Sequence, residues 1–170
     1  MRFNVLVRWL QRHHRERGQS LILVALVLPF LIALVLTCIE IGERFWEKAA
    51  IEDALQQATR SSVQSFRYAD FAQNSQSIDQ PRVLDIARRT FQVNLTGLRG
   101  LLEDPATVAG QVTWMVRPAG GTCTFPNGHP SVSATTPMVC ATLTPRMTGL
   151  LGWGVWTPQI DAAATLDPVP

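Results

Sequence analysis

The feature that most constrains this chain is a 21-residue stretch, Gln19 to Ile39 (QSLILVALVLPFLIALVLTCI), without a single charged side chain. A helix needs about 20 predominantly apolar residues to cross a bilayer, and at about 1.5 Å per residue this stretch reaches roughly 31 Å, the depth of a hydrocarbon core. The core helix of a soluble domain rarely runs so far without a polar face. The expectation is therefore a membrane span or an export signal. Charge sets its direction. Residues 1–18 hold five arginines (Arg2, Arg8, Arg12, Arg15, Arg17) against Glu16, a net of +4, whereas the whole chain of 170 residues is only +2. Basic flanks stay on the cytoplasmic side. The reading is a basic cytoplasmic leader over 1–18 and a transmembrane helix over 19–39. All that follows then lies outside the cytoplasm, in a single-pass membrane protein.

The same numbers argue against other classes. A net charge of +2 does not fit a strongly basic nucleic-acid binder. An apolar content of 46% does not fit long disorder. The length leaves little room for a multi-domain enzyme.

Residues 40–66 (EIGERFWEKAAIEDALQQATRSSVQSF) contain no proline and are rich in helix formers, so the helix is expected to continue as an extracytoplasmic stalk. Ile51, Leu55, Ala58 and Ser62 fall at helical spacing and form one small or apolar stripe. Glu40, Glu43, Glu47, Glu52 and Asp53 are expected on the solvated side. Phe45 and Trp46 sit one turn beyond the span, where aromatic residues favour the membrane interface; packing against the outer domain is the equal alternative. A polar break, Tyr68 to Gln80, leads to Pro81, which suits a helix start. A second helix is expected from Pro81 to Leu102, with Val83, Ala87, Phe91, Leu95 and Leu98 on one face and Gly97 and Gly100 weakening its end.

Beyond Thr107 the character changes. Residues 111–170 hold four charges and eight of the eleven prolines. Alternation at Val112–Arg117 and Ile160–Asp167, and the β-favouring run Met138–Thr144, mark three strands of a small sheet. The expected fold class is α+β: the long N-terminal helix, a second helix and a small, mainly antiparallel sheet in an extracytoplasmic domain over 67–170.

Cys123 and Cys140 enclose 16 residues. In an oxidising compartment a disulfide between them would contribute ~3 kcal/mol by closing a loop of that length; the alternative is two free thiols. His129 lies between them, yet C-x5-H-x10-C matches no common zinc spacing and lacks a fourth ligand, so no metal is expected. His13 and His14 add basic character to the leader. There is no G-x-S-x-G, H-E-x-x-H, P-loop or C-x-x-C, and with three histidines in all the chain is read as neither an enzyme nor a cofactor or small-molecule binder. The apolar segment Leu150–Trp156 has two readings, a patch for a partner subunit or a buried turn.

A short basic leader, then Gly18-Gln19, then an apolar helix resembles a type IV prepilin. The finer resemblance is to the TadE/TadF-like minor pilin (pseudopilin) family of tight-adherence (Tad/Flp) pilus systems. It rests on Arg17-Gly18-Gln19-Ser20-Leu21-Ile22, on Ala25-Leu26-Val27-Leu28-Pro29, on Glu40-Ile41-Gly42 after the apolar run, and on Ala54–Arg60, so it covers roughly residues 15–62. The resemblance implies cleavage between Gly18 and Gln19 by a membrane prepilin peptidase, with the helix retained on the mature protein. It also implies packing through Leu21, Leu23, Pro29, Glu40 and Gly42 against other pilin-like subunits. Pilins usually carry Glu where Leu23 stands, and that carboxylate is thought to pair with a neighbour's N-terminal amine. A buried carboxylate in hydrocarbon is costly unless paired, so Leu23 removes both the cost and the partner. A tip, initiating or scaffold role follows rather than a repeating one. Pro29 is expected to kink the helix or to be tolerated as membrane-helix prolines are. Two other anchorings are open to this sequence: an uncleaved bitopic protein, and a lipoprotein at Cys38, where Thr37 is too large for the usual pattern.

Overall fold

The computed structural model describes the backbone of residues 3–65 and 78–166, and side chains for 21–65 and 78–166. The chain divides into two compact units, 1–42 and 43–170. Its fold class is α+β, as expected.

Helix α1 spans Phe3–Val63 and is continuous through Pro29. Within the first unit every described side chain from Leu21 to Ile39 is exposed. The hydroxyl of Thr37 donates to the Ala33 carbonyl at 2.8 Å, so the helix absorbs this polar group itself. The helix ends at Val63, before the expected Phe66, where the Ser65 N–H turns back to the Ser62 carbonyl; Phe66 itself and the break at 68–77 lie outside the described residues.

In the second unit, α1 buries Ile51, Ala54, Leu55, Ala58 and Val63 at helical spacing, with Thr59 and Ser62. Their hydroxyls are satisfied locally, Thr59 by the Gln56 carbonyl and Ser62 by the Thr59 carbonyl. Helix α2, Gln80–Asn94, starts with Pro81 in its first turn and buries Val83, Ala87 and Phe91. It ends eight residues before the expected Leu102. The reason is visible in the backbone. The Thr96 N–H turns back to the Val93 carbonyl, and Gly97 adopts φ +99°, a left-handed conformation that favours glycine. Residues 100–102 then pair with residues 146–148 instead: Thr148 N–H donates to the Gly100 carbonyl and Leu102 N–H to that of Arg146.

A short helix that was not expected, α3 over Pro105–Gln111, follows. Asp104 caps it, accepting from the Thr107 amide at 3.0 Å and the Thr107 hydroxyl at 2.6 Å. These bonds, the hydroxyl's first, hold the Asp104 carboxyl below its ordinary value of 3.8.

The three expected strands are β1 (Thr113–Arg117), β4 (Met138–Leu143) and β7 (Ile160–Thr165). They form one antiparallel sheet in the order β1-β4-β7, with Met115 opposite Cys140 and Cys140 opposite Ala163. Two small hairpins complete the unit: β2 (Gly121–Cys123) with β3 (Val132–Ala134), and β5 (Met147–Thr148) with β6 (Val155–Trp156).

Both faces of the sheet are covered, which explains why central β4 is apolar on both sides except at Thr142, rather than alternating. One face turns Ala141, Leu143, Ile160 and Ala162 into a core with Ile51, Leu55, Phe91, Leu95 and Val108. Val139 and Ala164 extend it to Val63 and Val83. The other face sets Met138 and Cys140 beside Cys123, Met115, Phe125 and Val132.

Candidate functional site

The most distinctive surface is the apolar part of α1. Fourteen large apolar side chains between Leu21 and Ile39 are exposed, Leu21 at 73% and Leu23 at 63% among them. Burying one such side chain is worth about 1.5–3 kcal/mol, so fourteen represent roughly 20–40 kcal/mol. A whole domain is stable by only about 5–15 kcal/mol, so this surface is not one that water can be left to cover. Among the described residues this is the one helix long and apolar enough to cross a membrane, and it has the length and composition of an anchor.

The residues singled out from the sequence fall as follows. Gly18 and Gln19 lie within α1. Pro29 is exposed with its neighbours. Gly42 is exposed, and a Cβ added there would meet nothing within 4 Å, so no contact described in this chain requires its smallness. Glu40 and Glu47 correct the expected solvated face: they are 2% and 9% exposed. The physical reason is their spacing. Positions 40, 47, 51, 55 and 58 recur on one side of a helix, and within the second unit Glu47 continues the stripe that Ile51, Leu55 and Ala58 bury. A Cβ added at Gly100 would meet the Glu47 carboxylate, the far end of a flexible side chain that would have to shift to admit it.

Cys123 and Cys140 form a disulfide that ties β2 to the central strand β4, with both residues fully buried. Both thiols are therefore committed to each other. His129, in the loop they enclose, instead meets Asp161 on β7, Nδ1 to Oδ2 at 2.5 Å. The Asp161 carboxylate also accepts from Thr142 Oγ1 at 2.5 Å and from Gln159 Nε2 at 2.8 Å. Gln159 reaches the Pro126 carbonyl and receives Asn127 Nδ2. Thr142 donates to the acid rather than to the imidazole. The cluster is a clamp that fastens the disulfide loop to the sheet. Nothing in the spacing of Asn127, His129, Gln159 and Asp161 revealed it beforehand.

Leu150–Trp156 is partly buried at one end and open at the other. Trp156 packs against the helix-facing core, whereas Leu150 is 64% and Trp153 51% exposed. Phe45 and Trp46 are exposed as well, which removes packing against the outer domain as their role.

No protein-family model matches the chain, and comparison with curated proteins and with solved structures finds no match.

Proposed function

We propose that this chain is a membrane-anchored, non-catalytic, pilin-like component of a Tad/Flp-type pilus assembly or secretion system, a minor or initiating subunit that acts by helix packing and partner binding. The observation that carries this reading is the uncovered, uncharged helix Leu21–Ile39, entered directly from Arg17-Gly18-Gln19. A prepilin peptidase would cut after Gly18 on the cytoplasmic side and leave the helix on the mature protein. The arginine-rich leader keeps that end inside and sends residues beyond 40 outside. An apolar helix that leaves lipid for a bundle of similar helices exchanges one apolar surround for another, so packing and not hydrophobic transfer drives the association. The α+β unit then supplies partner specificity, and the disulfide suits a domain that works in an oxidising compartment.

The test is the intact mass and N-terminal sequence of the protein extracted from its own host membrane. A start at Gln19 is the expected result. A start at Met1 favours the second reading, an uncleaved bitopic protein with an exported interaction domain. Leu23 favours that reading too, because it stands where pilins usually carry Glu.

A further inference from the structure

Strand β7 leaves one edge of the sheet uncovered. In the order β1-β4-β7 it pairs only with β4, and no other helix or strand of the described residues runs beside it. The register says which backbone groups are left over. Leu166 N–H donates to the Pro137 carbonyl, one step beyond the pair Thr165–Met138. In an antiparallel ladder the bonding side alternates residue by residue. Ile160, Ala162, Ala164 and Leu166 therefore turn their N–H and C=O to β4, and Asp161, Ala163 and Thr165 turn theirs outward. No backbone bond reaches these outward groups from any described residue.

Such a row of donors and acceptors is a template for another strand. Edge strands that stay single are blunted by proline, lysine or a bulge. The six residues of β7 keep unbroken register with β4 and include none of these. The one charge, Asp161, is engaged by His129, Thr142 and Gln159 of its own chain. The opposite edge differs: β1 ends in Arg117, Pro118 follows, and β2 lies against it.

The occupant that fits β7 is the same strand of a second copy, antiparallel about a two-fold axis, because the strand is complementary to itself. With the axis at Ala163, Ala163 faces its own counterpart and Asp161 faces Thr165 of the second copy. This register engages every outward N–H and C=O of Asp161, Ala163 and Thr165 on both strands, and a shift in either direction loses some of them. The charges select it as well. The two Asp161 side chains then stand four residues apart along the strands, about 14 Å, which exceeds a Debye length of about 10 Å at 0.1 M salt. With the axis at Asp161 they would oppose each other directly, with Cα atoms about 5.5 Å apart. Thr165 offers a hydroxyl to the acid across from it, and the alanines between are too small to clash.

We infer that the free edge of β7 is a self-association site, at which two copies of this chain join their sheets into one continuous sheet. The pairing lies wholly within the second unit and is independent of cleavage after Gly18.

The test uses the full chain in detergent micelles, with Cys38→Ser to remove its free thiol. Sedimentation equilibrium gives the dimer dissociation constant. Thr165 is exposed, so charges placed there leave the core intact. Each change acts at both symmetry-related pairs. Thr165→Asp should therefore weaken the dimer by roughly 2- to 30-fold, and Thr165→Lys should tighten it. Ala163→Pro removes an outward N–H that the fold does not use, and should abolish the dimer with the far-ultraviolet circular dichroism unchanged. Benzoylphenylalanine in place of Thr165 should photo-crosslink to residues 159–163 of the second copy, as mapped by mass spectrometry. A chain that stays monomeric at every concentration overturns the proposal. So does a dimer indifferent to both charges at 165, which would mean association through another surface such as the apolar helix. Crosslinks from position 165 in host membranes that reach only a different protein overturn it too.

Discussion

The two halves of α1 follow opposite plans. From Leu21 to Ile39 apolar side chains point in every direction and all are exposed. From Ile51 to Val63 apolar and small residues keep to one stripe, and that stripe is buried. Composition alone would rank both halves as good helix. Their difference lies in what surrounds them: a one-sided stripe faces a protein core with water behind it, whereas an all-round apolar surface needs an apolar medium on every side. Each half should therefore fail on its own when perturbed.

The largest effect is expected in the outer core. Phe91 is fully buried opposite the α1 stripe, and Phe91→Ala should cost about 3–5 kcal/mol of domain stability. Chemical denaturation followed by near-ultraviolet circular dichroism measures it, and resistance of the same variant to alkaline extraction from membranes should be unchanged. Leu28→Arg is the converse. A charge at the centre of a span costs up to roughly 3.5 kcal/mol of insertion, so the inserted fraction should fall while the outer unit keeps its denaturation midpoint. If both properties moved together in either variant, the separation of the two plans would be wrong.

The disulfide comes next. Replacing Cys123 and Cys140 with Ala should remove about 3 kcal/mol from the outer unit through the freed loop. The His129–Asp161 clamp holds the same loop, so its hydrogen-exchange protection should drop further in the double cysteine variant than elsewhere in the sheet.

What was legible beforehand divides along physical lines. The apolar run, the Ile51–Leu55–Ala58 stripe and the three sheet strands are long enough to express a period, and each occurs where the pattern placed it. Strands β5 and β6 hold two residues each and express no alternation. The end of α2 is not legible in the sequence because Leu95 and Leu98 keep helical spacing after the helix has stopped; pairing of residues 100–102 with 146–148 is a tertiary event that local propensity does not encode. Helix α3 was readable, since Asp104-Pro105 followed by Thr107 is a cap signature, but seven residues are too few to show a face. The burial of Glu40 and Glu47 was hidden because residue type outweighed position on the stripe.

The smallest effect is a pH dependence that only one half should show. Asp104 caps α3, and its carboxyl titrates below 3.8 because the ionised form accepts from Thr107. A carboxyl whose folded value is depressed adds stability that is fully present above the unfolded value and is lost as pH falls through the folded one. The outer unit should therefore weaken as the solution is taken below about pH 3.8, and Asp104→Asn, which still caps through its carbonyl oxygen but cannot ionise, should flatten that part of the dependence. Stability of the two chains measured from neutral pH downward would converge if this is correct; a constant difference would mean that the cap does not depend on charge. Membrane association of either chain should not change over the same range, because Gln19–Ile39 contains no carboxylate to protonate. Acid thus separates the two plans without altering a single residue of α1.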